Sequence, residues 1–155
     1  MVFPYIFLHF AYGILIAYTY YTILNWEVFM NILVIDDSPV QHKLAKFYLG
    51  TGFGHSVESA SNGMEGIDRA ILTKPDVILL DIDMPDLSGK DTLRALKKIR
   101  FTRNIPVIMT GTDSNLNSKD TLLAMGAADF IMKHIDMKTL NTRVTAAFNM
   151  SFQTA

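Results

Sequence analysis

Four short apolar runs mark this chain, and each stops at a polar residue. Ile32-Leu33-Val34-Ile35 ends in Asp36-Asp37, and Val77-Ile78-Leu79-Leu80 ends in Asp81. Pro106-Val107-Ile108-Met109 ends in Thr110, and Phe130-Ile131-Met132 ends in Lys133. Apolar runs of this length without alternation predict strands covered on both faces, as in a parallel sheet. A more polar run, His55–Ala60, reads as an edge strand. Helical signals lie between the runs. Ser38-Pro39-Val40-Gln41 offers an N-cap, a proline at the first helical position and a capping-box partner, so a helix is predicted to about Leu49. It stops in Gly50-Thr51-Gly52-Phe53-Gly54. Asn62 caps a second helix with Glu65 as partner, and that helix ends before Lys74-Pro75. A third starts near Ser88-Gly89 and carries Leu93, Leu96 and Ile99 at helical spacing. A fourth is expected over 114–125, a fifth strand over 129–132, and a fifth helix from Met137 to Asn149. This alternation with short connections predicts a doubly wound parallel α/β domain with right-handed crossovers.

The chain has 155 residues, enough for one domain with a proper core and too few for two ordinary ones. Composition divides it unevenly. Residues 1–29 carry no Lys or Arg and a single acid, Glu27, so all 14 basic and the other 14 acidic residues fall in 30–155. That balance gives no electrostatic footprint for nucleic acid or for an anionic membrane. The absence of Cys excludes disulfides and thiolate metal sites, and fits a reducing cytoplasm. Residues 30–150 are expected to form the domain and 151–155 a tail, with no output domain attached.

Val2 to Leu24 is long enough to cross a bilayer as a helix, and Tyr18, Tyr20, Tyr21 and Trp26 suit an interfacial belt. It lacks the basic region and cleavage site of a secretory signal. Two main readings of 1–29 compete. One is a transmembrane anchor with 30–155 on the cytoplasmic side. The other is an extension absent from the working protein, since a chain starting at Met30 would be complete as a domain. A helix packed on the domain is a third.

In an open parallel sheet, ligands bind outside the carboxyl ends of the strands. Asp36, Asp37, Asp81, Thr110 and Lys133 are therefore expected to meet at one edge. Adjacent carboxylates repel, so Asp36-Asp37 calls for a hard divalent cation such as Mg²⁺, or else Asp37 supports a helix N-terminus and Asp36 is solvated. Asp81 is a metal ligand, a nucleophile or a turn former. Gly111 after Thr110 leaves space for a phosphoryl group, and Lys133 could pair with a phosphoryl oxygen. Asp83 and Asp86 read as solvated loop acids, although the backbone carbonyl of Asp83 could ligate a metal.

Together the motifs Asp36-Asp37, Asp81-x-x-Met84-Pro85-x-x-x-Gly89, Thr110-Gly111 and Gly126-Ala127-Ala128-Asp129-Phe130-Ile131-Met132-Lys133 resemble the receiver domain of two-component response regulators, of the chemotaxis-regulator type. The resemblance covers 31–149 in the family order. It implies a five-stranded, flavodoxin-like sheet of order 2-1-3-4-5. It further implies Asp81 as phosphoacceptor, Mg²⁺ held by Asp37, Asp81 and the carbonyl of Asp83 with Asp36 assisting, and Thr110 and Lys133 on the phosphoryl group. Phe130 falls at the switch aromatic, and would also make sense as a plain core residue. The donor would be a histidine kinase or phosphotransfer protein. A downstream protein would bind the face of strand five and helices four and five. Such a domain catalyses its own phosphorylation and slow dephosphorylation and is not a metabolic enzyme.

One position departs from the family. His134 follows Lys133 where a proline is usual, often after a cis bond. A non-proline cis bond costs about 3–4 kcal/mol, so a trans bond or a strained cis one is expected, with the aim of Lys133 in question. Two alternatives remain. Asp81-Ile82-Asp83 is similar to the Asp-x-Asp of haloacid-dehalogenase-type phosphohydrolases, though their acidic pair follows the Lys. A degenerate receiver would only bind partners.

Overall fold

The computed structural model describes residues 28–151. Apart from Val28 and Phe29, the segment read as anchor or extension lies outside the described residues, as do 152–155. Among the described residues no helix is long and apolar enough to cross a membrane.

Five parallel strands form one sheet in the order β2-β1-β3-β4-β5. They are β1 (Asn31–Ile35), β2 (Ser56–Ala60), β3 (Val77–Asp81), β4 (Val107–Gly111) and β5 (Asp129–Met132). The helices are α1 (Pro39–Ala45), α2 (Gly63–Thr73), α3 (Gly89–Lys98), α4 (Lys119–Ala124) and α5 (Met137–Ser151). The predicted fold class and strand order hold.

Side chains alternate across each strand, so a strand apolar at every position feeds two cores. Leu33, Ile35, Ile78, Leu80, Val107, Met109 and Phe130 pack with Ile67, Ala70, Leu93, Leu96 and Leu122 of α2, α3 and α4. On the other face, Ile32, Val34, Val77, Leu79, Ile108 and Ile131 pack with Ala45, Leu49, Leu140, Val144 and Ala147 from the α1 and α5 side. Each fully buried Leu or Ile contributes roughly 1.5–3 kcal/mol.

The caps explain where the helices begin. Asn62 Oδ1 accepts the Glu65 N–H at 2.9 Å, as its sequence position predicts. Ser88 caps α3 by accepting the Asp91 N–H at 3.2 Å. Ser38 is a correction. It stands at the N-cap of α1 with Pro39 at the first helical position, but its side chain makes no capping bond. Its N–H instead donates to Asp36 Oδ1 at 2.9 Å, so the carboxylate replaces the hydroxyl as the organiser of this turn. Two helices also differ from expectation. α1 gives way after Ala45 to a π-helical turn, Lys46–Thr51, rather than continuing as α-helix to Leu49. The stretch expected as the start of helix four is a 3₁₀ segment, Asp113–Ser118, with the α-helix beginning only at Lys119. Thr112 and Asn115 form a reciprocal cap that tightens this first turn. Ser151, expected in the tail, ends α5.

Candidate phosphoryl site at the strand ends

Register brings the polar strand ends together. Ile35 pairs with Leu80, Asp81 with Thr110, and Gly111 with Met132. The ladder continues past the strands, since Asp36 N–H donates to Ala60 O at 3.1 Å and Lys133 N–H to Gly111 O at 2.8 Å. Asp36, Asp81 and Lys133 therefore leave the sheet side by side.

Lys133 Nζ lies 2.9 Å from Asp81 Oδ1 and 3.0 Å from Asp36 Oδ2. The two carboxylates are 2% and 3% exposed, so this is a buried triad. Asp37 is exposed beside them, and one oxygen from each of Asp36, Asp37 and Asp81 lies within 4.8 Å of the others. Burial lifts the Asp81 carboxyl above the ordinary range. The Lys133 hydrogen bond opposes that rise, Asp36 adds to it by repulsion, and the Asp83 N–H opposes it as a further donor. Burial alone would lower the Lys133 ammonium, yet its bonds to Asp81 and Asp36 hold it above its ordinary value. One cation against two buried carboxylates leaves negative charge uncompensated. An oxygen donor set of this kind suits a hard divalent ion.

No cis peptide occurs among the described residues, so the Lys133–His134 bond is trans. Lys133 nonetheless reaches both carboxylates, so proline after it is not required for its aim. His134 is exposed and, with Gln41, Tyr48, Thr110 and Lys133, lines a cavity of about 300 Å³ beside the triad.

Thr110 is half-buried at the end of β4, and its carbonyl accepts the Ile82 N–H at 3.1 Å. Phe130 is 4% exposed and packs in the core on the α4 side of the sheet. Nearby, Arg143 donates to the Asp129 carboxylate and to Phe130 O at 3.2 Å, which ties α5 to the edge strand. Asp86 is exposed, as expected. Asp83 is exposed too, but its carboxylate is not simply solvated. It accepts from Asn115 Nδ2 at 3.1 Å. Asn115 escaped the reading of the sequence, although Thr112-x-x-Asn115 has the spacing of a helix-capping pair.

Gly89 is fixed by close approach. A Cβ there would lie 2.0 Å from the Asp81 carbonyl oxygen and 2.7 Å from the Ile82 Cα. Since those are backbone atoms, no side-chain rotation relieves the clash. Gly89→Ala is expected to cost about 3 kcal/mol, the upper end for overpacking, read as a lower denaturation midpoint in urea.

A doubly wound sheet with a buried acid–lysine triad at its switch point defines a class of domain built to handle an anionic group with a cation. The comparisons specify it further. The sequence model of the response regulator receiver domain matches residues 32–145, and the chain belongs to that family. It is 39% identical over 117 residues to Protein PilH of Pseudomonas aeruginosa, a match covering 75% of this chain and 95% of PilH. It is 38% identical over 106 residues to the protein-glutamate methylesterase/protein-glutamine glutaminase of Archaeoglobus fulgidus, covering 67% of this chain and 30% of that protein. Among solved structures, a response regulator receiver domain protein from Clostridium thermocellum superposes with a TM-score of 0.73 at 30% identity, over 81% of this chain and 98% of that one. The Vibrio cholerae chemotaxis protein CheY4 gives 0.71 at 25% identity, over 77% and 99%. The chain is thus a receiver domain of two-component signalling, and the hydrolase alternative has no support in these comparisons. Receiver domains in general bind Mg²⁺ at an acidic pocket and work with histidine kinases and downstream effectors.

Proposed function

We propose that Asp81 accepts a phosphoryl group from the phosphohistidine of a histidine kinase or phosphotransfer protein. The observation that carries this reading is the Lys133 ammonium held between the buried carboxylates of Asp81 and Asp36, with Thr110 paired to Asp81 on the neighbouring strand. An Asp81 oxygen attacks phosphorus in line, the P–N bond to the donor imidazole breaks, and an acyl phosphate forms. Phosphoryl transfer asks little of the protein beyond positioning and charge stabilisation. Lys133 moves its hydrogen bonds from carboxylate to phosphoryl oxygen, and the Thr110 hydroxyl takes another oxygen. Asp36, Asp37, Asp81 and the carbonyl of Asp83 fit Mg²⁺ by donor chemistry, and the ion supplies further neutralisation of the transferring charge.

Phosphorylation draws Thr110 inward and changes how Phe130 packs, so the surface of α4, β5 and α5 has two states. Leu116, 50% exposed on that surface, joins Lys119, Ile135 and Arg143 as a binding face for a downstream protein. The protein works in the cytoplasm, where its donor kinase domains are.

Incubation with acetyl phosphate and Mg²⁺ tests the assignment. Borohydride reduction of the labelled protein is expected to convert Asp81 alone to homoserine, with no turnover of a generic phosphoester. Reduction at another residue, or catalytic phosphoester hydrolysis, rules the reading out.

A further inference from the structure

Asn115 is nearly buried, at 9% exposure, and its carboxamide joins two turns that are far apart in sequence. Its Nδ2 donates to Asp83 Oδ2 at 3.1 Å in the turn after β3. Its Oδ1 accepts the Thr112 N–H at 2.8 Å and the Thr112 hydroxyl at 3.2 Å, in the turn after β4. A carboxylate accepts only from the amide nitrogen and a backbone N–H donates only to the oxygen, so these partners fix which way the carboxamide faces. Gly111 makes room for it, because a Cβ there would lie 2.8 Å from Asn115 Oδ1 and 3.0 Å from Ile82 Cδ1.

Each end of this bridge sits two residues from a site group. Asp83 lies two residues after Asp81, and its backbone N–H favours the charged form of that carboxylate. Thr112 follows Thr110. We infer that Asn115 is a positioning residue, linking the Asp83 turn on the metal side to the Thr110–Thr112 strand end on the switch side. The inference rests on the proposal that the Asp83 carbonyl is a metal ligand. Metal binding at that carbonyl then moves the Asp83 turn, and Asn115 carries the movement to Thr112. A rigid side-chain bridge does this where two solvated loops would not, since a partner orienting a ligand changes both affinity and geometry.

A Mg²⁺ titration of the isotope-labelled 155-residue protein, followed by backbone amide shifts, tests the link. In the natural protein, shifts are expected at Asp37 and Asp81 and also at Thr112 and Asn115. In Asn115→Ala the Asp37 and Asp81 response persists with roughly tenfold weaker affinity, the low end for loss of a ligand-orienting partner, and the Thr112 response is lost. Asn115→Asp keeps an acceptor for Thr112, which protects the fold, but faces Asp83 with a second carboxylate and loses the same response. Combining Asp83→Asn with Asn115→Asp exchanges donor and acceptor and restores it. A Thr112 response that survives both single variants, or that the double variant does not recover, overturns the link. If the natural protein shifts at Asp37 and Asp81 but not at Thr112, the link fails alone. If it shifts at neither place, the metal reading fails and takes the link with it.

Discussion

Asp81→Asn is expected to abolish labelling by acetyl phosphate and, in the absence of divalent metal, to raise the melting temperature. The first effect is all-or-none, because the carboxamide offers no nucleophilic carboxylate oxygen to phosphorus. The second follows from the electrostatics of the triad. Burial, reinforced by Asp36, holds the Asp81 carboxyl above its ordinary range in the folded protein. The folded state therefore keeps a proton that the unfolded chain releases, and stability contributed by this group falls as pH rises through that window. At neutral pH Asp81 subtracts stability. An isosteric amide removes the charge and leaves Lys133 paired with Asp36 at 3.0 Å. The gain is expected to vanish in acid below the ordinary carboxylate range, where natural protein and variant carry the same charge. Thermal unfolding across pH, beside an acetyl phosphate labelling assay, checks both parts. Full labelling of the variant would refute the assignment of Asp81.

Lys133→Met has the next largest effects. Methionine keeps much of the side-chain length and removes the ammonium. The labelling rate at saturating Mg²⁺ is expected to fall by roughly 10²–10³, the range for deleting one preorganised group aimed at developing charge. Without metal, two carboxylates that are 2% and 3% exposed lose their cation. Breaking a buried pair in this way costs about 3–5 kcal/mol, because the partner is left uncompensated. Mg²⁺ should restore part of that stability, since it supplies the missing positive charge. Urea denaturation with and without Mg²⁺ reads the stability, and single-turnover labelling reads the rate. A variant that labels at the natural rate would remove Lys133 from the chemistry.

The parts legible in the sequence were those with short-range signatures. Ile32–Ile35 and Val77–Leu80 read as strands covered on both faces, and that reading puts their closing residues at one sheet edge. Asn62 with Glu65 marked a helix start because the capping bond is local. Ser38 carried the same signature and misled, since Asp36 lies close enough to take over the turn. The start of the fourth helix was not legible either. Thr112 and Asn115 hold a 3₁₀ turn there, and the Asn115 contact with Asp83 spans 32 positions. No periodicity reports a contact of that kind. Lys133 was placed correctly at the edge, but its aim depends on the triad geometry and not on the identity of residue 134.

Every group in the site leaves the sheet at or just past a paired strand end, and that placement governs which changes of length the chain tolerates. Adding a residue to a loop that leads into a strand from the far end of the sheet moves nothing in the register and touches no site group, so those loops are free to diverge in length. Adding one inside β3 or β5 turns every following side chain to the opposite face of the sheet. Asp81 or Lys133 would then project into one of the two apolar layers. Insertions and deletions in this domain are therefore sorted by position: nearly silent in the connections that enter the strands, and lethal to signalling within a handful of strand residues and in the turns that carry Asp37, Asp83 and Asn115.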